Sequence, residues 1–366
     1  MLNKIFIHFK KIDWTLVFVP ILLTLIGLFS IYSSSLFEGD FLNFRKQIVF
    51  LVFGIFLMFV FSFLDWRIFK ENPYLILVLY FLHLLALSFL LFFGPLIKGT
   101  KSWFKIGVIT IDPIESLKII LLLLLAKYFS ARHVEMYKIS HILISSIYVL
   151  IPSFLISLQP NLGSALILVL LWIGILIVSG IEVKHFLILV LVFLFVFAFS
   201  WTHFLKDYQK ARLMSFVAPN VDPLGMGWSQ LQSKIAIGSG GLFGKGWRKG
   251  SQVQFGFLTA PQTDFIFAAI AEEFGLFGVF VLLALFALLL FQIAKTSFQF
   301  RTNFSRLFAL GFSILLFLQA FIHIGMNLGI LPIIGISLPL VSYGGSGLIS
   351  NYISLGILQS LKIHKD

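Results

Sequence analysis

The chain has 366 residues, of which 59% are hydrophobic, 17% aromatic and only 11% charged, with a net charge of +12 and no Cys. That balance excludes a soluble globular or disordered protein, and long uncharged runs rich in Phe point to a polytopic membrane protein. The missing Cys excludes disulfides and thiolate metal sites; the Lys and Arg flank apolar runs, so topology and anionic membrane lipid account for them and no nucleic-acid partner is expected.

Taken in order, the chain reads as all-α, a single integral membrane domain over 1–366 with ten spans. A basic stretch (Lys4, Lys10, Lys11) leads into the first span, 14–34, as a signal anchor rather than a cleaved signal peptide. Spans at 46–64 and 74–96 follow, then the loop 98–112 and a fourth span at 113–130. Spans five and six, 139–158 and 163–180, are separated only by Gln159-Pro160-Asn161-Leu162, and the seventh is expected at 185–204. The longest polar interval, 205–263, precedes an eighth span at 264–294. A ninth span at 307–326, a Pro/Gly-rich re-entry segment at 327–339 and a tenth span at 340–361 complete the chain. The short outer loops hold only Arg45, Lys46, Lys98, Lys101 and Lys105, so the positive-inside rule places both termini in the cytoplasm and the interval 205–263 outside.

Charged residues inside such a scaffold are functional candidates by default. On the fourth span Glu115 and Lys118 stand three apart, share a helix face and can pair, either as a packing device or as part of a cavity wall. The glycine-rich run 237–247 fails the P-loop pattern, because Ser239 holds the first Gly position and Gly246 follows Lys245. It reads either as a flexible surface loop or as a cradle in which Ser239, Gly240 and Gly241, with Lys234 and Lys245, hold an anion such as a lipid diphosphate. His83, His185 and His323 are isolated, without a second ligand at metal spacing, and read as core or interface histidines.

Asp264 stands at the mouth of the eighth span, with Glu272 and Glu273 about 12 Å deeper along the axis. No second carboxyl lies locally at the spacing of a retaining glycosidase. A lone carboxylate at the lipid–water boundary suits a general base, and equally a helix N-cap. From the residues alone, a membrane glycosyltransferase, a transporter or flippase of a lipid-linked sugar, and a non-catalytic scaffold all remain open.

Several strings together resemble the SEDS family (shape, elongation, division and sporulation) over almost the whole chain. They are Gln-Ser-Lys-Ile-Ala-Ile-Gly-Ser-Gly-Gly at 232–241, Gly244-Lys245-Gly246, Thr263-Asp264-Phe265-Ile266-Phe267, Ala271-Glu272-Glu273-Phe274-Gly275, and Pro-Leu-Val-Ser-Tyr-Gly-Gly-Ser at 339–346. The first string is similar to the elongation members, the RodA type, rather than the division members, the FtsW type. The resemblance implies a peptidoglycan glycosyltransferase that polymerises lipid II into β-1,4 glycan strands on the outer face of the bacterial cytoplasmic membrane. It implies Asp264 as the general base that deprotonates the acceptor 4-hydroxyl, and undecaprenyl diphosphate as leaving group. Lys234 and Lys245 are then expected to stabilise that diphosphate, with Mg or Mn as an optional divalent cation and no other cofactor. Glu115 and Lys118 are implied to shape a central cavity, with Glu272, Trp103, Ser342 and Tyr343 as secondary candidates. The implied partners are a class B penicillin-binding protein and other membrane proteins of the elongation complex. Three departures from the family pattern stand out: Asn161 replaces an Asp, Thr259-Ala260-Pro261-Gln262 lacks a Glu and a His, and Ser102 stands where relatives place Arg before Trp103.

Overall fold

The computed structural model describes residues 2–97, 99–107, 109–132, 138–203, 210, 216 and 226–364. They form helices α1 (Leu2–Lys11), α2 (Thr15–Glu38), α3 (Leu42–Phe63), α4 (Arg67–Glu71) and α5 (Pro73–Phe93), then a hairpin of β1 (Phe104–Ile106) and β2 (Ile109–Ile111). Next come α6 (Pro113–Ser130), α7 (Ile139–Leu158), α8 (Leu162–Val178), α9 (Val183–His203), α10 (Met226–Ser239) and α11 (Ser251–Gln254). The chain closes with α12 (Ile266–Gln299), α13 (Asn303–Leu328) and α14 (Gly345–Ile363). The protein is an integral membrane protein, and each of the ten expected spans has its helix.

Among the described helices, seven are long and apolar enough to cross a membrane by length and composition, and α8 is a shorter apolar helix of 17 residues. Of the three that fall short, α6 and α14 are screened from lipid by their neighbours, while α8 is about half buried and falls short by its length. Nearly every residue of α6 from Pro113 to Phe129 is buried, and α14 is buried from Ser350 to Leu361. A helix packed on other helices can carry Glu115, Lys118, Asn351 and Gln359 because lipid never meets them. By contrast α9 buries only His185 and faces outward almost all round.

Local chemistry starts and stops these helices. Pro113 occupies the first turn of α6 and Asp112 caps it by accepting from the Ile114 N–H at 2.9 Å. Asn161 caps α8 and Thr302 caps α13, while Gly39 and Gly329 end α2 and α13 in the left-handed conformation. At one end of α14, Lys362 pairs with Asp13 at 2.6 Å and Gln359 bonds the Asp13 backbone, which ties the two termini together. At the other end, Ser346 accepts the Asp112 N–H at 2.8 Å. Both termini therefore sit at the end of the bundle opposite the loops that carry Asp112 and its neighbours.

The eighth span differs from expectation. It begins at Ile266, so Asp264 lies two residues outside the helix, and it is broken at Gly275 (φ 65°, ψ −163°) rather than continuing as one tilted rod. The interval before it is no loose loop in its described part. Residues 226–239 are helical, and the glycine turn that follows is stitched to the break: Lys245 N–H donates to Glu272 O, Gly246 N–H to Glu273 O, Leu276 N–H to Gly241 O and Phe277 N–H to Leu242 O. A Cβ on Gly240 or Gly244 would meet a backbone oxygen of α12 at 2.0 or 2.1 Å, so these glycines serve close backbone approach. The segment expected to re-enter starts as the last turn of α13, and residues 330–344 then run without helix along the wall described next.

Candidate active site

Asp264 is presented by a backbone segment that is held carbonyl by carbonyl. Gln262 O accepts from the Tyr343 N–H at 2.8 Å, Thr263 O from Ser342 Oγ at 2.8 Å, and Asp264 O from Asn327 Nδ2 at 3.0 Å. Ser342 O in turn accepts from Gln47 Nε2 at 3.2 Å. The N-cap position of α12 is Phe265, without a side-chain cap; instead Asn327 Oδ1 accepts the Ala268 N–H at 3.2 Å. The acceptor for this first-turn N–H thus comes from another helix.

Asp264 lies on the wall of a cavity of about 390 Å³, a size typical of small-molecule sites. The same wall carries Trp103, Asp112, Glu115, Lys118, Asn161, Ser342 and Tyr343. On the α6 side, Lys118 Nζ reaches Glu115 Oε1 at 2.6 Å, so the pair expected from the i, i+3 spacing forms, and it forms at the cavity. Just before α6, burial and then the adjacent Glu115 carboxylate push Asp112 up to about 7, against the Ile114 N–H, the Lys118 charge and a hydrogen bond from the Trp103 indole. Burial raises the Tyr343 hydroxyl above its usual value. Apart from Tyr343, the wall combines a carboxylate near the loop–helix boundary, an acid that titrates near neutrality, an ion pair and an indole.

Sequence reasoning passed over Asp112, which reads locally as the cap before a proline; its neighbours Trp103, Lys118 and Ser346 come from the segment just before β1, from α6 and from α14, up to 234 residues away. Asn161, the departure noted above, both caps α8 and lines the cavity. Other candidates are placed elsewhere. Glu272 is fully buried, and its Oε1 accepts from Lys245 Nζ at 2.9 Å, Ser251 Oγ at 3.2 Å and Gln252 N at 2.9 Å, while Oε2 accepts from Val253 N at 3.2 Å. Lys245, Gly240 and Gly241 belong to this knot and not to the cavity wall. Glu273 joins it, accepting from Ser33 Oγ and from the Arg248 N–H at 3.2 Å. Ser239 bonds the carbonyl one turn back in α10, and the Lys234 side chain lies against Gly329 at the C-terminal end of α13, where a cation meets the helix dipole. Among the described residues no three His, Asp or Glu side chains come together as metal ligands. His83 bonds Ser116 at 2.9 Å, and His323 bonds Ile336 O at 2.8 Å, as core histidines do.

The FTSW_RODA_SPOVE family model, described as cell cycle protein, matches residues 13–366. Peptidoglycan glycosyltransferase MrdB of Escherichia coli K12 is 35% identical over 364 residues, covering 99% of this chain and 96% of the relative. MrdB of Helicobacter pylori 26695 is 34% identical with coverage of 98% and 91%, and stage V sporulation protein E of Bacillus subtilis 168 is 32% identical with 94% and 95%. Among solved structures, a chain from a study of the structural coordination of polymerization and crosslinking by a peptidoglycan synthase complex superposes with a TM-score of 0.83. It is 30% identical and the match covers 97% of this chain and 98% of that one. The rod shape determining protein RodA of Thermus thermophilus gives a TM-score of 0.72 at 29% identity, with 97% of both chains covered.

Proposed function

This chain belongs to the FtsW/RodA/SpoVE family, and on that premise we propose that it is a peptidoglycan glycosyltransferase of cell elongation that polymerises lipid II. The observation that carries the reading is the shared cavity: Asp264, two residues outside its helix, faces the same space as Trp103 and the Glu115–Lys118 pair. Asp264 takes the proton of the acceptor GlcNAc 4-hydroxyl as that oxygen attacks the MurNAc anomeric carbon. The C–O bond to the diphosphate breaks with inversion, and undecaprenyl diphosphate leaves. Lys118 is the described ammonium on this wall, so it replaces Lys234 and Lys245 as the group that meets the departing charge. A divalent cation, where used, would take its ligands largely from the diphosphate.

The low Lys and Arg content of the short outer loops supports a cavity that opens on the outer face of the cytoplasmic membrane, with the tied termini inside. The partner is a crosslinking class B penicillin-binding protein, as one structural relative comes from a complex that joins polymerization to crosslinking. The test is polymerisation of labelled lipid II by wild type beside Asp264→Asn, with that partner supplied and withheld. Strands from wild type alone support the reading. Equal strands from both proteins remove Asp264 from the chemistry, and movement of lipid II between leaflets without polymerisation favours a flippase.

A further inference from the structure

We propose that Gln47 of α3, which does not line the cavity itself, is a positioning residue for Asp264: its one amide fixes the turn that holds the two residues just before Asp264. This inference rests on the transferase reading above.

Residues 338–344 run beside Asp264 without helix to hold them, and Leu340 among them is left-handed at φ 67°. A residue other than glycine keeps that conformation only where its surroundings fix it. This segment in turn fixes the chain ahead of Asp264, because the Tyr343 N–H donates to Gln262 O and Ser342 Oγ to Thr263 O, both at 2.8 Å. Gln47 supplies the restraint: Nε2 donates to Ser342 O at 3.2 Å and Oε1 accepts from the Gly344 N–H at 3.2 Å. Ser342 O and the Tyr343 N–H belong to one planar trans peptide, so they point opposite ways. Gln47 holds the carbonyl edge of that plane and thereby sets where its N–H edge meets Gln262. The side chain is fully buried on the same face of α3 as Leu51, Gly54 and Met58, so water does not compete for its bonds. One turn earlier on α3, Asn43 Nδ2 donates to Gln262 Oε1 at 2.9 Å, so the same helix also grips this segment directly. The partners dictate which way the amide faces, since an N–H needs an acceptor and a carbonyl a donor. A glutamate at 47 would keep the acceptor and lose the donor; a methionine would fill the space and lose both.

The experiment measures kcat and KM for lipid II polymerisation with the penicillin-binding partner present, and thermal unfolding in the same detergent. Gln47→Met, close in volume but without hydrogen-bonding ends, is expected to lower kcat about ten- to a hundredfold with KM little changed. Gln47→Glu, which loses only the donor, is expected to lower kcat as well. The control is Gln359→Met, because the buried Gln359 amide bridges the Asp13 N–H and carbonyl at 3.0 and 2.8 Å, the same two-ended geometry at the far end of the bundle. It is expected to lower the melting temperature and leave kcat unchanged. A second readout is coupling: Ser342→Ala removes the bond to Thr263 O, and in that background Gln47→Met is expected to cost about threefold less in kcat than in wild type, because both act on one segment. If the Gln47 variants keep wild-type kcat, or lose it only in proportion to melting temperature, the inference falls and the transferase reading stands. Losses from Gln47→Met and Ser342→Ala that simply multiply overturn it too. Where Gln47→Met does not fold, Gln47→Glu decides on the same kcat criterion. If wild type makes no strands, both the inference and the transferase reading fall.

Discussion

Replacing Glu272 by Ala tests whether this carboxylate holds structure or takes part in chemistry. The side chain is fully buried and gathers four donors: Lys245 Nζ, Ser251 Oγ and the backbone N–H groups of Gln252 and Val253. Lys245 is 30% exposed and can turn to water once unpaired, which limits the loss on its side. The two N–H groups cannot all reach water, since Val253 is 1% exposed. Each stranded donor costs about 1–3 kcal/mol, and breaking the pair brings the total to about 3–5 kcal/mol. Equilibrium unfolding in mixed micelles measures this, and limited proteolysis between residues 240 and 253 should show the glycine turn released. Glu272→Leu combined with Lys245→Met should recover part of the loss, because removing both charges leaves no unpaired ion. A Glu272→Ala protein within about 1 kcal/mol of wild type, protease-resistant yet unable to polymerise, would refute the structural assignment and return Glu272 to the chemistry.

Other substitutions probe the same framework. Gly275→Ala should cost about 1–3 kcal/mol for its glycine-only backbone conformation alone, and more because the new Cβ would lie 2.2 Å from Gly244 N; unfolding in micelles checks it. Lys118→Met should abolish strand synthesis and cost about 3–5 kcal/mol by stranding Glu115, while Glu115→Gln added to it should restore stability but not activity. Asp112 titrates near 7 in the fold against 3.8 for the free side chain, so the folded state holds its proton more tightly. Its contribution to stability is fully present below 3.8 and is lost as pH rises through 7. Asp112→Asn should therefore gain melting temperature relative to wild type between pH 5 and pH 8; a constant difference would contradict the raised pKa.

Hydropathy determined the architecture: a helix at each of the ten expected spans, with 113–130 and 139–158 bounded as the structure has them, because apolar runs and prolines act on their own few residues. The spacing of Glu115 and Lys118 determined their ion pair for the same reason, since i, i+3 neighbours on a helix meet whatever surrounds them. The resemblance singled out Asp264, and the structure has it on the wall of the cavity. What the glycines at 240, 244 and 275 are for was decided only by packing, as their close approaches join segments 30 residues apart in a strained backbone that no local pattern encodes. Lys245 shows the same limit: beside glycines it reads as an anion site, yet a carboxylate 27 residues on takes its charge. What holds the Asp264 backbone is likewise distant: the Asn327 amide, 63 residues away, donates to the Asp264 carbonyl. Asp112 reads as an ordinary cap until Trp103, α6 and α14 close around it. Local sequence sets which segments are helices; desolvation and hydrogen-bond competition, which set what a polar group can do, depend on neighbours that only the folded chain brings together.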